Sequence, residues 1–237
     1  MSRDTESDAT DELLALAARD DLDEGRALSI IRSPFCSPEV AHRISENKRI
    51  LGSHKVRELI CSVRGVPNGQ VLDLLATLPW LSLLLLAQAP QTPPLVRRQA
   101  ERRLIEKVPR LTSGEKIALA RRAHRKLLRV VAATGIGEVL QALLENPRLT
   151  ETDIQVLLAQ EKPPSEVFVA LIRNPRWSRR RGVRMAIARN RAAPLPIALS
   201  AMAQLAPGEL LDIAEDRTVD ARVRRAASAL KDRARTE

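Results

Sequence analysis

Val167-Phe168-Val169-Ala170-Leu171-Ile172-Arg173-Asn174-Pro175-Arg176-Trp177-Ser178 is the stretch from which the fold can be read. Its first, fourth and fifth residues are apolar at the interval of one helix face. Asn at the eighth place suits the left-handed closing of a helix. Pro at the ninth cannot continue one, because it lacks an amide donor and crowds the preceding turn. Ser at the twelfth suits the N-cap of the next helix. One such unit cannot bury its own apolar face, so units of this kind must stack.

The same frame recurs. Val139 to Thr150 aligns with it through Ala142, Leu143, Asn146 and Pro147, and Val183 to Pro194 through Ala186, Ile187 and Asn190. Looser copies begin at Arg26, Val56, Ser82 and Glu101, and a truncated one at Val223. Successive starts differ by 16 to 40 residues, so the repeat is irregular. Between the corners the apolar spacing is helical: Ile117, Ala120, Leu127, Leu128 and Val131 predict a helix face across 116–131. Long alternating runs of β-branched residues are absent. The chain reads as twelve to fourteen short helices.

Val183-Arg184-Met185-Ala186-Ile187-Ala188-Arg189-Asn190, followed by Pro194, resembles the leucine-rich repeat variant, and Leu211 to Asp216 with Val223 to Ala226 is similar to its second half. More broadly the chain resembles the HEAT-like α-solenoids. The close match covers residues 139–230, and the unequal repeat lengths depart from the variant family's steady period. A member of that family carries an iron–sulfur cluster ahead of its repeats, but Cys36 and Cys61 cannot supply four thiolates, so no cluster is expected. The resemblance implies an all-α fold, an α-solenoid of irregular helical repeats. It implies no single activity.

Composition agrees with that class. The 237 residues are 44% hydrophobic and only 2% aromatic, so the core must be Leu, Ile, Val and Ala. Two Cys rule out a disulfide scaffold and fit a reducing, cytoplasmic setting. The acidic N-terminus is unlike a secretory signal. Leu74 to Ala87 has no charge, but it is short for a span and contains Pro79. It is expected to fold as a buried pair of short helices, with docking on a membrane or an apolar partner the rival reading.

Charge divides the chain. Residues 1–25 hold nine acids against Arg3 and Arg19, whereas residues 26–237 hold 37 Lys plus Arg against 20 acids. An acidic arm or capping helix over 1–24 therefore precedes a basic body, expected as one array over 25–237. The arm contains a helix candidate, Asp11 to Arg19, that either caps the array or lies on its basic surface.

Two basic clusters are the candidate binding residues. On one continuous helix, Arg121, Arg122, Arg125, Lys126 and Arg129 would fall within about 140° of the circumference, and no acid lies between Glu115 and Glu138. Arg180, Arg181 and Arg184 lie in an acid-free run from Arg173 to Arg191, behind Ser178 as an expected cap. Guanidinium groups suit carboxylate and phosphate. The competing reading of the first cluster is a solvated face or one covered by the acidic arm; that of the second is that several of its arginines cap carbonyls of neighbouring helices. Arg97, Arg98, Arg102 and Arg103 form a third group, partly answered by Glu101 and Glu106.

The expected function is a non-enzymatic scaffold that holds an acidic protein partner. Sequence-independent binding of nucleic-acid backbone is the alternative, weakened by the scarcity of aromatics for base stacking. A HEAT-like DNA glycosylase is the enzymatic alternative; it would need aromatic and acidic groups beside the cations. No catalytic residue and no cofactor is expected. Cys36, His42, His54 and Cys61 are spaced C-x5-H-x11-H-x6-C, which matches no standard zinc finger, and no metal site is expected. Gly135-Ile136-Gly137 reads as a helix start, and Trp177 and Trp80 as packing residues.

Overall fold

The computed structural model describes residues 3–233, with side chains from residue 7 onward except that of Arg125. It is helical throughout, with sixteen α-helices, two short 3-10 turns and no strand among the described residues. The chain forms two compact units, Met1–Lys107 and Val108–Glu237.

The first unit comprises α1 (Arg3–Ala17), α2 (Glu24–Arg32), α3 (Pro38–Glu46), α4 (His54–Ser62), α5 (Asn68–Thr77), α6 (Trp80–Gln88) and α7 (Pro94–Lys107). Local chemistry sets several starts. Asp23 and Ser37 accept the amides of Arg26 and Val40, and Pro38 fits the first turn of α3. Each helix packs on its successor but one in the rows α2–α4–α6, α1–α3 and α5–α7. The acidic arm is thus a packed helix: α1 lies on α2 and α3 and buries Ala17, and Thr10 Oγ1 donates to the Phe35 carbonyl at 3.3 Å. Pro79 separates α5 from α6, and the uncharged stretch folds as two helices that bury Leu74, Leu75, Leu83, Leu84 and Leu86. Gly65, at φ 87°, turns the chain between α4 and α5, where a side chain would also strike Pro38.

The second unit comprises α8 (Ser113–Ala120), α9 (Arg125–Ala132), α10 (Gly137–Leu144), α11 (Glu151–Leu158), α12 (Ser165–Arg173), α13 (Arg181–Arg189), α14 (Leu195–Met202), α15 (Pro207–Glu215) and α16 (Ala221–Arg233). Two rows run through it: α8–α10–α12–α14–α16 and α9–α11–α13–α15, each helix touching the next member of its own row. Thr112 and Thr150 form capping boxes with Glu115 and Asp153 at the starts of α8 and α11. Leu, Ile, Val and Ala fill the core, with Phe168 and Trp177 enclosed among them.

Three local expectations are corrected. The helix across 116–131 is two helices, because the chain turns at Arg121–Ala123 and His124 becomes the extended N-cap of α9. Asn174 and Asn190 close their helices in extended conformation, at φ −81° and −80°, instead of the left-handed one. Their Oδ1 atoms accept the amides of Arg176 and Ala192 two residues on, forming Asx turns that end the helix without a positive φ. Ser178 does not cap α13: the helix begins at Arg181, and the Ser178 carbonyl accepts a bond from the Arg184 guanidinium.

The corner residues also tie together helices that are distant in sequence. Buried Asn146 donates through Nδ2 to the Ala120 and Ala123 carbonyls, both at 2.9 Å. Asn190 Nδ2 reaches the Leu158 carbonyl at 2.6 Å. Trp177 is buried, and its indole donates to the Leu144 carbonyl at 2.9 Å. Arg176 donates to the Asn146 and Leu149 carbonyls and lies 4.5 Å over the Trp177 ring. In the first unit Arg49, two residues after Asn47, reaches the Leu22 carbonyl at 2.7 Å in the same manner. These side chains donate to carbonyls at helix ends, as at Ala120, Leu144 and Leu158, and in the corners between helices.

Candidate functional site

The first basic cluster sits at the turn between α8 and α9. Arg121 and Arg122 follow the C-terminus of α8, where cations complement the helix dipole. Lys126 lies in the first turn of α9, and Arg129 lies one turn on. Arg121, Arg122, Lys126 and Arg129 are exposed. The Arg125 side chain lies outside the described residues, though its backbone opens α9. Lys126 places a cationic side chain in the first turn of a helix that has no acid there and no side-chain cap. Cations at that end oppose the dipole, so the arrangement costs stability.

The tertiary fold adds a neighbour to this cluster. Arg129 of α9 and Arg148, from the corner before α11, line one cleft of about 640 Å3. Leu128 and the exposed Val156 supply its apolar wall, Thr150 and Thr152 its hydroxyls, and Asp153 its one carboxylate. Asp153 is engaged by the amide and hydroxyl of Thr150 at 3.0 and 2.6 Å. Arg148 was not among the residues picked from the sequence. Its signal was the Asn146-Pro147-Arg148 corner, shared with Asn174-Pro175-Arg176.

The second cluster divides. Arg180 is exposed at the N-cap of α13. Arg181 is paired with the buried carboxylate of Glu209, whose other oxygen accepts the Ala206 amide at 2.7 Å. Arg184 drops out of the accessible surface. It is 9% exposed, and its donors go to the carbonyls of Ser178 and Gln204 and to the Gln204 side chain. A buried guanidinium must find such partners, and these satisfy it within the fold. Arg176, Arg189 and Arg191 likewise turn to chain oxygens or to Asp216. In the third group, Arg102 and Arg103 pair with Glu106.

Apart from Arg176 over Trp177, no cation is stacked on an aromatic ring among the described residues. Phe168 and Trp177 are buried, and Phe35 and Trp80 are half-buried in the first unit. The Cys and His candidates do not converge, and no group of three or more His, Cys, Asp or Glu residues suited to a metal ion exists among the described residues. Burial pushes the Cys36 thiol up to about 11. Burial, with the charge of Glu58 adding, pushes that of Cys61 up to about 12. Both are therefore held as neutral thiols rather than nucleophiles. No described helix is long and apolar enough to cross a membrane. No family model, curated protein or solved structure matches the chain.

Proposed function

We propose that the protein is a non-enzymatic helical-repeat scaffold whose α8–α9 turn and α9–α11 cleft hold an acidic protein partner. The observation that carries this reading is the cationic first turn of α9, without acid or side-chain cap, beside a cleft that joins Arg129 and Arg148 to Leu128 and Val156. Carboxylates from a partner would offset the dipole penalty at α9 and pair with guanidinium groups. The apolar wall suits a protein side chain. It has no use for a phosphate backbone, which offers charge at every step. Arg180 extends the cationic surface in this reading, Arg181 contributes its exposed edge, and Arg184 serves the fold.

The two rows of next-but-one packing in the second unit favour a short α-solenoid, and the rows α2–α4–α6, α1–α3 and α5–α7 favour the same for the first. The repeated corner bonds of Asn146, Arg176 and Arg49 support it, since each joins residues about one repeat apart. Two Cys held as thiols accord with a reducing, cytoplasmic setting.

The test is a pull-down with the intact chain beside a charge-reversed variant carrying Glu at Arg121, Arg122, Arg125, Lys126 and Arg129. The reading requires a partner that the intact chain holds and the variant loses. Identical partners with both would sink it. A parallel titration with duplex DNA separates the rival: affinity that falls about a thousandfold between 50 and 200 mM salt would favour backbone binding instead.

A further inference from the structure

A second surface stands out in the first unit. Leu85 of α6 is 49% exposed, the most of any large apolar side chain among the described residues, and Leu81 one turn earlier is 40% exposed. They line a cleft of about 540 Å3 along α2, α4 and α6, together with Leu59 of α4. That volume falls within the range of pockets that receive ligands, about 300–1,000 Å3. Arg32 at the end of α2 and Lys55 in the first turn of α4 line the same cleft, and Glu58 is its one acid. Neither the Arg32 nor the Lys55 side chain makes a hydrogen bond or ion pair among the described residues. Lys55 also opposes the dipole of α4, whose cap residue Ser53 gives its hydroxyl to Glu24 instead.

We propose that this cleft receives an acidic amphipathic helix of a partner protein. Leucine-like side chains at i and i+4 would seat against Leu81, Leu85 and Leu59, and carboxylates flanking them would meet Arg32 and Lys55. Charge complementarity selects the occupant: an apolar cleft bordered by unanswered cations attracts an acidic apolar segment and repels a basic one. The concave form selects protein over lipid, since a bilayer is met by an apolar face that protrudes. Leu83, Leu84 and Leu86 of α6 are committed to the core, which leaves Leu81 and Leu85 as the exposed leucines of the helix.

The experiment uses the full chain and a synthetic glutamate–leucine helix of about 15 residues, long enough to become helical when bound. Binding is read by fluorescence anisotropy and by amide shifts in NMR spectra. Saturable binding in the micromolar range is expected, with shifts centred on α4 and α6. Leu85→Glu should weaken it at least tenfold, and Lys55→Glu by several fold. In the charge-reversed 121–129 variant the peptide-induced shifts on α4 and α6 and their dependence on Leu85 should persist, while any shifts on α9 are lost, which separates this cleft from the α9 surface. Lys55 is exposed, so its variant keeps the test alive if Leu85→Glu fails to fold. The proposal is overturned by absence of saturation below about 1 mM. It is equally overturned by shifts confined elsewhere, or by equal affinity for a lysine–leucine helix. Leu85-dependent sedimentation with phosphatidylglycerol vesicles in place of peptide binding would assign the cleft to lipid. Leu85-dependent self-association without peptide binding would assign it to a second copy of the chain.

Discussion

Asn146 hydrogen-bonds the carbonyl of Ala120, 26 residues earlier, at 2.9 Å, and does so with no exposure to water. The same amide serves Ala123, while Oδ1 accepts the Arg148 amide. One side chain therefore satisfies both the helix corner it belongs to and the turn that separates α8 from α9. Asn146→Ala should destabilise the chain by about 2–3 kcal/mol, because buried acceptors lose their donor. Asn146→Asp should cost at least as much, since it aims a carboxylate at two carbonyl oxygens. Urea unfolding of the three proteins measures this, and an Asp variant as stable as the parent would refute the bond.

Trp177 tests packing against hydrogen bonding. Trp177→Phe keeps most of the apolar volume and loses the indole bond to Leu144, so a cost of about 1–2 kcal/mol is expected. Trp177→Ala opens a cavity and should cost about 3–5 kcal/mol. Equal losses in thermal or urea unfolding would show that the indole bond contributes nothing.

Arg184 and Arg180 should behave oppositely. Arg184→Met strands the Ser178 and Gln204 carbonyls and is expected to cost about 1–3 kcal/mol of stability. It should leave partner capture intact. Arg180→Glu lies on the exposed surface and should change stability by less than about 0.5 kcal/mol, while weakening capture of an acidic partner. Denaturation and pull-down on both variants check the pair, and a reversed pattern would exchange their roles.

Cys61 should resist alkylation. It is fully buried, and its thiol is pushed up to about 12 from an ordinary value of 9.0. At pH 8 the native chain should react with a thiol reagent at Cys61 only on the timescale of unfolding, and a Cys61→Ser variant identifies the signal. The folded state holds this proton more tightly than the unfolded state. The contribution to stability is therefore full below pH 9 and declines as pH rises from about 9 towards 12. Rapid labelling of Cys61 at pH 8 without denaturant would contradict its burial.

Helical class was legible because the period of apolar residues and the Pro-marked corners are local properties. Val139, Val167 and Val183 each open a helix face within a segment whose neighbours in sequence settle its conformation. The cap at Thr150 was legible for the same reason. The fate of Asn174 and Asn190 was not: the residue type permits both the left-handed turn and the Asx turn. The break at residues 121–124 was hidden because its stabilising donor, Asn146, is remote in sequence. Arg148 escaped notice because its companion, Arg129, belongs to another helix.

By itself the sequence determined an all-helical chain with a core of aliphatic side chains and an uneven distribution of charge, since composition, periodicity and proline act within a few residues. Only the tertiary structure decided which arginines face water and which are spent on the fold. Arg121, Arg129 and Arg180 are exposed, whereas Arg176 and Arg184 serve chain carbonyls brought near by packing. The physical reason is that a guanidinium's partner is set by which helix end lies within reach in space, and sequence spacing does not encode that.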